Sequence, residues 1–277
     1  MKGYSTMKKE LIVVRGGGDL ATGTIYKLRK SGYRVLVLES EKPSAIRRNV
    51  AFSEAVYEGR WTVEDVTAVL ANDIEEAEKI MDTGDVAVLV DPRCDCLNTL
   101  KPVALVDAII AKKNLGTNRS MAPITVGLGP GFTAGEDVDA VIETMRGHKL
   151  GRVILEGSAI PNTGIPGAVA GVTKERVIHA PAAGVLKNVC HITDVVEKGQ
   201  IIACIETCEG NVEVPATISG LLRGLIRDGY QVTKGFKIAD IDPRVEEYEN
   251  CFTISDKARC IAGGVLEAIL YLKNERK

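Results

Sequence analysis

The residues with the clearest chemical potential form a glycine-rich loop near the start of the chain. Gly16, Gly17 and Gly18 follow an apolar run at 11–15, and with Ala21 they match the pattern G-x-G-x-x-A. Glycines in such a loop let the backbone approach a phosphate, and the helix that follows presents unpaired N–H groups at its N-terminus. The loop therefore predicts a site for a nucleotide-type ligand.

Two carboxylates bear on that prediction. Glu39 stands 21 residues after Gly18, at the end of the next predicted strand, where an acidic side chain commonly holds a ribose hydroxyl. Asp19 lies inside the turn and would repel an anion unless its side chain only caps the helix. The alternative interpretation is a glycine turn that merely lets the strand and the helix pack closely.

A second glycine-rich loop contains Gly127, Gly129 and Gly131, stiffened by Pro130. It follows a predicted strand at 124–128 and precedes a segment, 137–145, with helical periodicity. Loops that follow parallel strands meet at the carboxyl edge of a sheet, where ligands bind in open α/β folds. We therefore expect the two loops to face one cleft, although a purely structural turn is the alternative here too.

Arg146 and His148 follow the predicted helix at 137–145. Arg146 could clamp a phosphate or a carboxylate. His148, one of three histidines in the chain, could act as an acid or base near neutral pH. The alternative is that these cations only neutralise the C-terminus of the helix.

Cys94 and Cys96 form a C-x-C pair after the predicted strand at 86–90, near the expected cleft. Two thiolates at this spacing could supply half of a soft-metal site or carry persulfide sulfur. No second pair completes a tetrahedral set, so no metal site is predicted. The seven cysteines are scattered and odd in number, which favours reduced thiols in a cytoplasm.

The order of predicted elements indicates two domains and a closing helix. Strand, loop and helix alternate over residues 1–172, which predicts a Rossmann-like, doubly wound α/β domain. A breaker-rich stretch at 161–167 leads into a small β module at 173–246. Residues 247–277 are expected to form a helix that packs back on the first domain.

The β module contains one strand-and-turn unit written twice, with a constant offset of 36 residues. The clearest repeated positions are Gly184 with Gly220 and Lys198-Gly199 with Lys234-Gly235. This duplication resembles the two halves of a biotinyl/lipoyl-type barrel-sandwich hybrid. Glu209 stands where the resemblance places the modified lysine, and a carboxylate cannot form the amide to biotin or lipoate. We therefore expect a docking element without a covalent cofactor.

Composition narrows the function classes. The net charge is −2 without a dense basic cluster, and aromatic residues make up 4%, so neither nucleic-acid binding nor a membrane-surface role is favoured. No run approaches the roughly 20 apolar residues of a membrane span, and no signal peptide is evident. We expect a cytoplasmic protein that starts at Met1 or Met7.

Several longer strings resemble the YqeB family, which comprises accessory proteins of selenium-dependent molybdenum hydroxylase systems. The strings lie at 127–132, 141–148, 161–167, 241–244 and 254–259, and the resemblance covers most of the chain, from Gly16 to about Leu270. The resemblance implies a maturation role for enzymes akin to xanthine dehydrogenase. The first glycine loop is similar in kind to the Rossmann-like domain of XdhC-type maturation factors.

These observations lead to one main hypothesis and two alternatives. The main hypothesis is an accessory protein that binds a nucleotide- or pyrophosphate-bearing cofactor, such as molybdopterin, in the Rossmann-like cleft and acts on a molybdenum hydroxylase client. The alternatives are an NAD(P)-dependent oxidoreductase and a sulfur or selenium transfer protein that uses Cys94 and Cys96. Whether the chain is an enzyme or a homo-oligomer is left open.

Overall fold

A computed structural model describes residues 9–164, 167 and 169–276 of the chain. The alternative start sites Met1 and Met7, and positions 165, 166 and 168 near the predicted inter-domain stretch, lie outside the described residues. In chain order the elements are β1 (Leu11–Arg15), α1 (Asp19–Lys30), β2 (Arg34–Glu39), α2 (Ala55–Glu58), β3 (Arg60–Val63), β4 (Val66–Ala71), α3 (Ile74–Thr83), β5 (Val86–Val90), β6 (Ala104–Asp107), β7 (Thr125–Leu128), β8 (Thr133–Ala134), β9 (Ala140–Ile142), β10 (Val153–Ile154), β11 (Gly157–Ser158), β12 (Val177–His179), β13 (Gly184–Asn188), β14 (Val195–Val196), β15 (Ile201–Thr207), β16 (Gly210–Pro215), β17 (Gly220–Leu225), β18 (Gln231–Val232), β19 (Lys237–Asp242) and α4 (Asp256–Glu275).

A nine-stranded mixed sheet forms the larger part of the molecule, in the order β10-β9-β7-β6-β1-β2-β5-β4-β3. The seven inner strands run parallel, and β10 and β3 pair antiparallel at the two edges. Strands β1, β5, β6, β7 and β9 are almost wholly buried, as expected for strands covered on both faces. Because these strands are apolar runs, most of them could be predicted from the sequence.

Helices cover the sheet unevenly. One face packs against α1 and α4, and the opposite face packs against α3. The approach of α1 to α4 is close: a Cβ added at Gly23 would lie 2.7 Å from the carbonyl oxygen of Ala258. Glycine is therefore required where these two helices meet.

The segment at 137–145 is not the helix that its periodicity predicts. Its centre is strand β9, which pairs with β7, and residues 138–144 are buried without interruption. Apolar residues spaced three and four apart also satisfy a strand buried on both faces, which is why the pattern misled. The connections β6–β7 and β7–β9 therefore contain no α-helix.

The duplicated region forms two separate antiparallel sheets of four strands, β12-β19-β17-β14 and β16-β15-β13-β18. Each strand and its counterpart 36 residues later lie in opposite sheets. The equivalent positions also pair alike, because Gly184 faces Val232 while Gly220 faces Val196. A Cβ at either glycine would strike a carbonyl oxygen of the neighbouring strand, that of Glu206 or of Asp242. The internal repeat is thus present in the fold as well as in the sequence.

The predicted fold class nevertheless needs correction. The larger part is a mixed nine-stranded sheet with two connections lacking helices, instead of a regularly alternating, doubly wound Rossmann-like domain. The remainder is described by separate antiparallel sheets and not as a biotinyl/lipoyl-like module. Glu209 lies in the exposed turn between β15 and β16.

Candidate functional site

A cavity of about 1170 Å³ opens where the carboxyl edge of the mixed sheet meets the β12-β19-β17-β14 sheet. The loops after β1, β6, β7 and β9 each contribute to its wall, through Asp19, Lys112, Pro130 and Arg146 respectively. The N-terminus of α4 closes another side. Convergence of loops at the carboxyl ends of parallel strands is the usual place for a ligand in an α/β sheet.

The wall of this cavity is strongly cationic, although the whole chain has a net charge of −2. The three acidic side chains in the wall are Asp19, Asp240 and Asp256. The basic ones number nine: Arg47, Lys112, Arg146, Lys174, Arg176, Arg223, Lys237, Arg244 and Lys257. Charge of one sign in a concave site raises the local concentration of ligands of the opposite sign.

Two buried aspartates organise the arginines of the β sheet. Asp240 accepts a hydrogen bond of 3.0 Å from Nε of Arg223 and also pairs with Arg176. Asp242, which is fully buried, accepts from Arg223 at 3.0 Å and from Arg244 at 2.8 Å. Burial raises the pKa of the Asp242 carboxyl, but the hydrogen bonds from Arg244 and the charge of Arg223 outweigh it and leave that pKa below its ordinary value. The network holds three guanidinium groups in place beside the cavity.

This network belongs to only one copy of the repeat. The residues 36 positions before Arg223, Asp240 and Asp242 are Lys187, Cys204 and Glu206. Lys187 and Glu206 are exposed and lie in the sheet that does not border the cavity. The two copies share a backbone pattern but differ in charge where the second one faces the mixed sheet.

Arg47 brings a further charge from the loop after β2. Its side chain is 12% exposed, donates to the carbonyl oxygen of Asn250 at 2.7 Å and lies 3.6 Å from the carboxylate of Asp19. Burial lowers the pKa of Arg47, with Asp19 acting in the opposite direction. Its Nε is buried without a hydrogen-bond partner among the described residues.

Lys257 lies in the first turn of α4, which is capped by Ser255 through a hydrogen bond from the backbone N–H of Ala258. Burial lowers the pKa of the Lys257 ammonium, and the charge of Arg146 lowers it further. The partial positive charge of a helix N-terminus acts in the same direction.

The first glycine loop is closed by contacts within the protein. The N–H of Gly17 donates to Oε1 of Glu39 at 2.6 Å, and its carbonyl oxygen accepts from the N–H of Ser53 at 2.9 Å. Gly16, with φ +98°, lies against the backbone of Ala108 and Ile109. Gly18 precedes α1, Ala21 is buried in that helix, and burial raises the pKa of Glu39. Of this loop region, only the neighbouring Asp19 and Leu20 reach the cavity.

The second glycine loop reaches the cavity through Pro130. Its glycines make room for neighbouring groups. A Cβ at Gly127 would strike the ring of Phe132, one at Gly129 would strike Thr144, and one at Gly131 would strike the backbone of Lys113. Asp19 and Leu20, which follow the first glycine loop, and Pro130 of the second loop line the same cavity, whereas the glycines of the two loops do not.

The remaining predicted residues are dispersed. Arg146 lines the cavity and holds Asp256 through two hydrogen bonds of 2.9 and 3.1 Å. His148 is exposed and is not part of the cavity wall. Cys94 and Cys96 are buried, and burial raises the pKa of Cys94 to about 11 and that of Cys96 further. Neutral thiols are poor nucleophiles and metal ligands, and the described residues contain no cluster of three metal-binding side chains.

Sequence reasoning missed the roles of Asp240, Asp242, Arg223 and Lys257. Asp242 and Lys257 lie within the strings that carry the family resemblance, but nothing in their spacing joins them. Residues 223, 242 and 257 meet only because the β sheet and α4 fold back on the mixed sheet. The signal in the sequence is the change of residue type at equivalent positions of the repeat, from Lys187, Cys204 and Glu206 to Arg223, Asp240 and Asp242.

Comparison with known proteins gives one strong relative. Over 267 residues, or 96% of this chain, the sequence is 52% identical to the "Uncharacterized protein YqeB" of Escherichia coli (strain K12). The chain spans only 48% of that protein's length. No family model matches the chain, and no helix among the described residues is long and apolar enough to cross a membrane.

The solved structures found are distant. They include the ectoine utilization protein EutE (DoeB) of Ruegeria pomeroyi in a product-bound form, with TM-score 0.27, 9% identity and coverage of 84% of this chain and 85% of that one. A Mesorhizobium loti aspartoacylase family protein gives TM-score 0.27, 10% identity and 85% coverage of both chains. A succinylglutamate desuccinylase/aspartoacylase of Rhodobacter sphaeroides gives 0.29, 14% and 84% of both.

The expected function is corrected. Within the chain, the Gly17 N–H expected to meet a cofactor phosphate is bound to Glu39, the residue expected to hold a ribose. The alternative function, sulfur transfer through Cys94 and Cys96, is not supported, because both thiols are buried and burial raises their pKa.

The relationship to YqeB itself is confirmed by identity over nearly the whole chain. The strings that suggested it run from the second glycine loop to the start of α4, and they include Arg146, Arg244 and Lys257 of the cavity wall. Over the segment that it shares with the Escherichia coli protein, about half of that protein's length, the chain belongs to the YqeB family.

Proposed function

We propose that the chain binds a small molecule with two or more carboxylate groups in the cationic cavity. The observation that carries the proposal is the excess of basic side chains in the wall, nine against three acidic ones. Concentrating so much positive charge in one concave surface costs free energy unless an anion neutralises it.

Four of these basic residues have no carboxylate of their own. Lys112, Lys174, Lys237 and Lys257 form no ion pair with any residue in the described ranges. Lys112 and Lys257 come from the sheet loops and α4, whereas Lys174 and Lys237 come from the β part. A ligand with charges at both ends could therefore bridge the two parts.

A carboxylate ligand is favoured because arginines of the cavity wall already bind carboxylates within the protein. Arg146 grips Asp256 through both terminal nitrogens, and Arg244 grips Asp242 through Nε and a terminal nitrogen. Such forked donors match planar carboxylates. The carboxylate of Asp19, the first residue of α1, disfavours a phosphate at that helix terminus.

Thermal unfolding with a panel of anions tests the proposal. At low ionic strength, glutarate at ten times its dissociation constant should stabilise the protein by about 1.4 kcal/mol, which raises Tm by roughly 2–3 °C for a chain of this length. Sodium chloride at matched ionic strength should not. A flat response to glutarate, citrate and malonate would contradict the proposal, and a response to inorganic phosphate alone would reassign the ligand class.

A further inference from the structure

Lys257 differs from the other unpaired lysines of the cavity. Lys112, Lys174 and Lys237 are exposed, so water solvates their charge, whereas Lys257 is partly buried in the first turn of α4. It lines the cavity directly beside Asp256, the carboxylate that Arg146 holds. The positive end of a helix and a neighbouring arginine both repel a basic side chain, so this position of Lys257 does not favour the stability of the fold.

The carboxylates that could neutralise Lys257 are each engaged elsewhere. Asp256 is bound by Arg146 through two hydrogen bonds. Glu143, at the end of β9, accepts from the backbone N–H groups of Met145 at 2.7 Å and Ile160 at 2.9 Å. Asp19, at the start of α1, faces Arg47 at 3.6 Å. No carboxylate in the described part of the chain therefore forms an ion pair with Lys257.

Burial lowers the pKa of Lys257, Arg146 lowers it further, and Asp19, Asp256 and Glu143 act against them. Each unit by which a lysine pKa falls makes the neutral, nucleophilic amine roughly tenfold more abundant at neutral pH. Lysines in such settings are the ones that form imines with carbonyl compounds.

The position of Asp256 indicates where a ligand carboxylate would bind. Arg146 and Asp256 are 44% and 75% exposed, and an ion pair this exposed contributes little to stability, so Arg146 can exchange one carboxylate for another. Arg146 and Lys257 line the same cavity, and the charge of Arg146 acts on the Lys257 ammonium, so a ligand carboxylate that replaces Asp256 on Arg146 would lie near Lys257. In a 2-oxo acid the carbonyl carbon is bonded to the carboxylate carbon, so it would be presented to the amine.

We propose that Nζ of Lys257 forms an imine with a small 2-oxo dicarboxylic acid bound in the cavity; this rests on the proposed function. The amine nitrogen attacks the carbonyl carbon to give a carbinolamine, which then loses its hydroxyl and the nitrogen proton as one water molecule. The product carries a carbon–nitrogen double bond, and nothing is oxidised or reduced.

Borohydride trapping with 2-oxoglutarate as the probe tests this inference. Reduction turns the imine into a stable secondary amine, which intact mass and peptide mapping detect. We expect one adduct, on Lys257, at least tenfold more abundant than on Lys112, Lys174 or Lys237. Lys257→Arg should abolish it, and Lys187→Gln, which removes an exposed lysine of the opposite sheet, should leave it unchanged.

Glutarate separates the two proposals because it carries the same carboxylates without a carbonyl group. It should stabilise wild type and Lys187→Gln alike and protect Lys257 of the wild type from trapping. Stabilisation by glutarate without any adduct on Lys257 overturns the imine and leaves the proposed function standing. An adduct spread evenly over the cavity lysines, or one that survives in Lys257→Arg, also overturns it. Absence of both signals overturns both proposals.

Discussion

At the scale of single residues, charge is arranged around Asp242 so that a fully buried carboxylate stays ionised. Arg223 and Arg244 supply the hydrogen bonds that offset its desolvation. A buried ion pair contributes little net stability, but removal of one partner leaves the other charge unsolvated. The stability of the cavity wall therefore depends on the carboxylate of Asp242.

Asp242→Asn should lower the free energy of unfolding by roughly 3 kcal/mol at pH 7. The pKa of Asp242 lies below its ordinary value of 3.8 in the folded protein. Its contribution is therefore complete above that value and is lost as the pH falls through the folded pKa. Urea unfolding of wild type and variant should show a gap that narrows in acid. Glu206→Gln, the exposed counterpart in the first copy, should change little; equal losses in both variants would contradict this account.

The cysteines provide a second prediction at this scale. Cys208 and Cys260 are exposed, whereas Cys94 and Cys96 are buried and their pKa values are raised by burial. Iodoacetamide at pH 8 should therefore alkylate Cys208 and Cys260 first and reach Cys94 and Cys96 only on unfolding. Peptide mapping against time measures the order. Fast labelling of Cys94 or Cys96 in the folded protein would restore them as reactive thiols.

At the scale of elements, the contact of α1 with α4 sets the position of Lys257. Gly23→Ala places a methyl group 2.7 Å from the Ala258 carbonyl oxygen, and overpacking of this kind costs about 1–3 kcal/mol. Chemical denaturation should show that loss. Gly263→Ala is the matched control, because its Cβ meets nothing within 4 Å and alanine stabilises a helix by roughly 0.5–1 kcal/mol. Gains in both variants would show that the helices are not in such close contact.

The elements also show how far the sequence could be interpreted. Some elements could be predicted because their apolar run or periodicity is compatible with only one type of secondary structure. These are strands β1, β2 and β5 and helices α1, α3 and α4. Residues 138–144 were not, because burial on both faces of a strand imitates a helical pattern. The glycines at 16–18 were recognisable as a turn, but only tertiary contacts show that Glu39 and Ser53 complete it.

At the scale of the whole molecule, the cavity arises from the meeting of parts that are far apart in sequence. Arg146, Arg223 and Lys257 come from a sheet loop, a repeat strand and a terminal helix. The glycine loops of the sequence predicted a site at the carboxyl edge of the mixed sheet, but nothing in the sequence predicted the opposite wall of the cavity. The duplicated unit explains that wall, because its second copy carries arginines and aspartates where the first carries Lys187, Cys204 and Glu206.

The most direct test of carboxylate binding in the cavity is isothermal titration of glutarate into wild type, Lys237→Gln and Lys187→Gln at low ionic strength. Lys237 is an exposed, unpaired lysine in the cavity wall, and Lys187 is an exposed lysine outside it. One exposed charge pair contributes up to about 1 kcal/mol, so Lys237→Gln should weaken binding by roughly two- to fivefold while Lys187→Gln matches wild type. Equal affinity in all three proteins, or no heat of binding in wild type, would contradict the account.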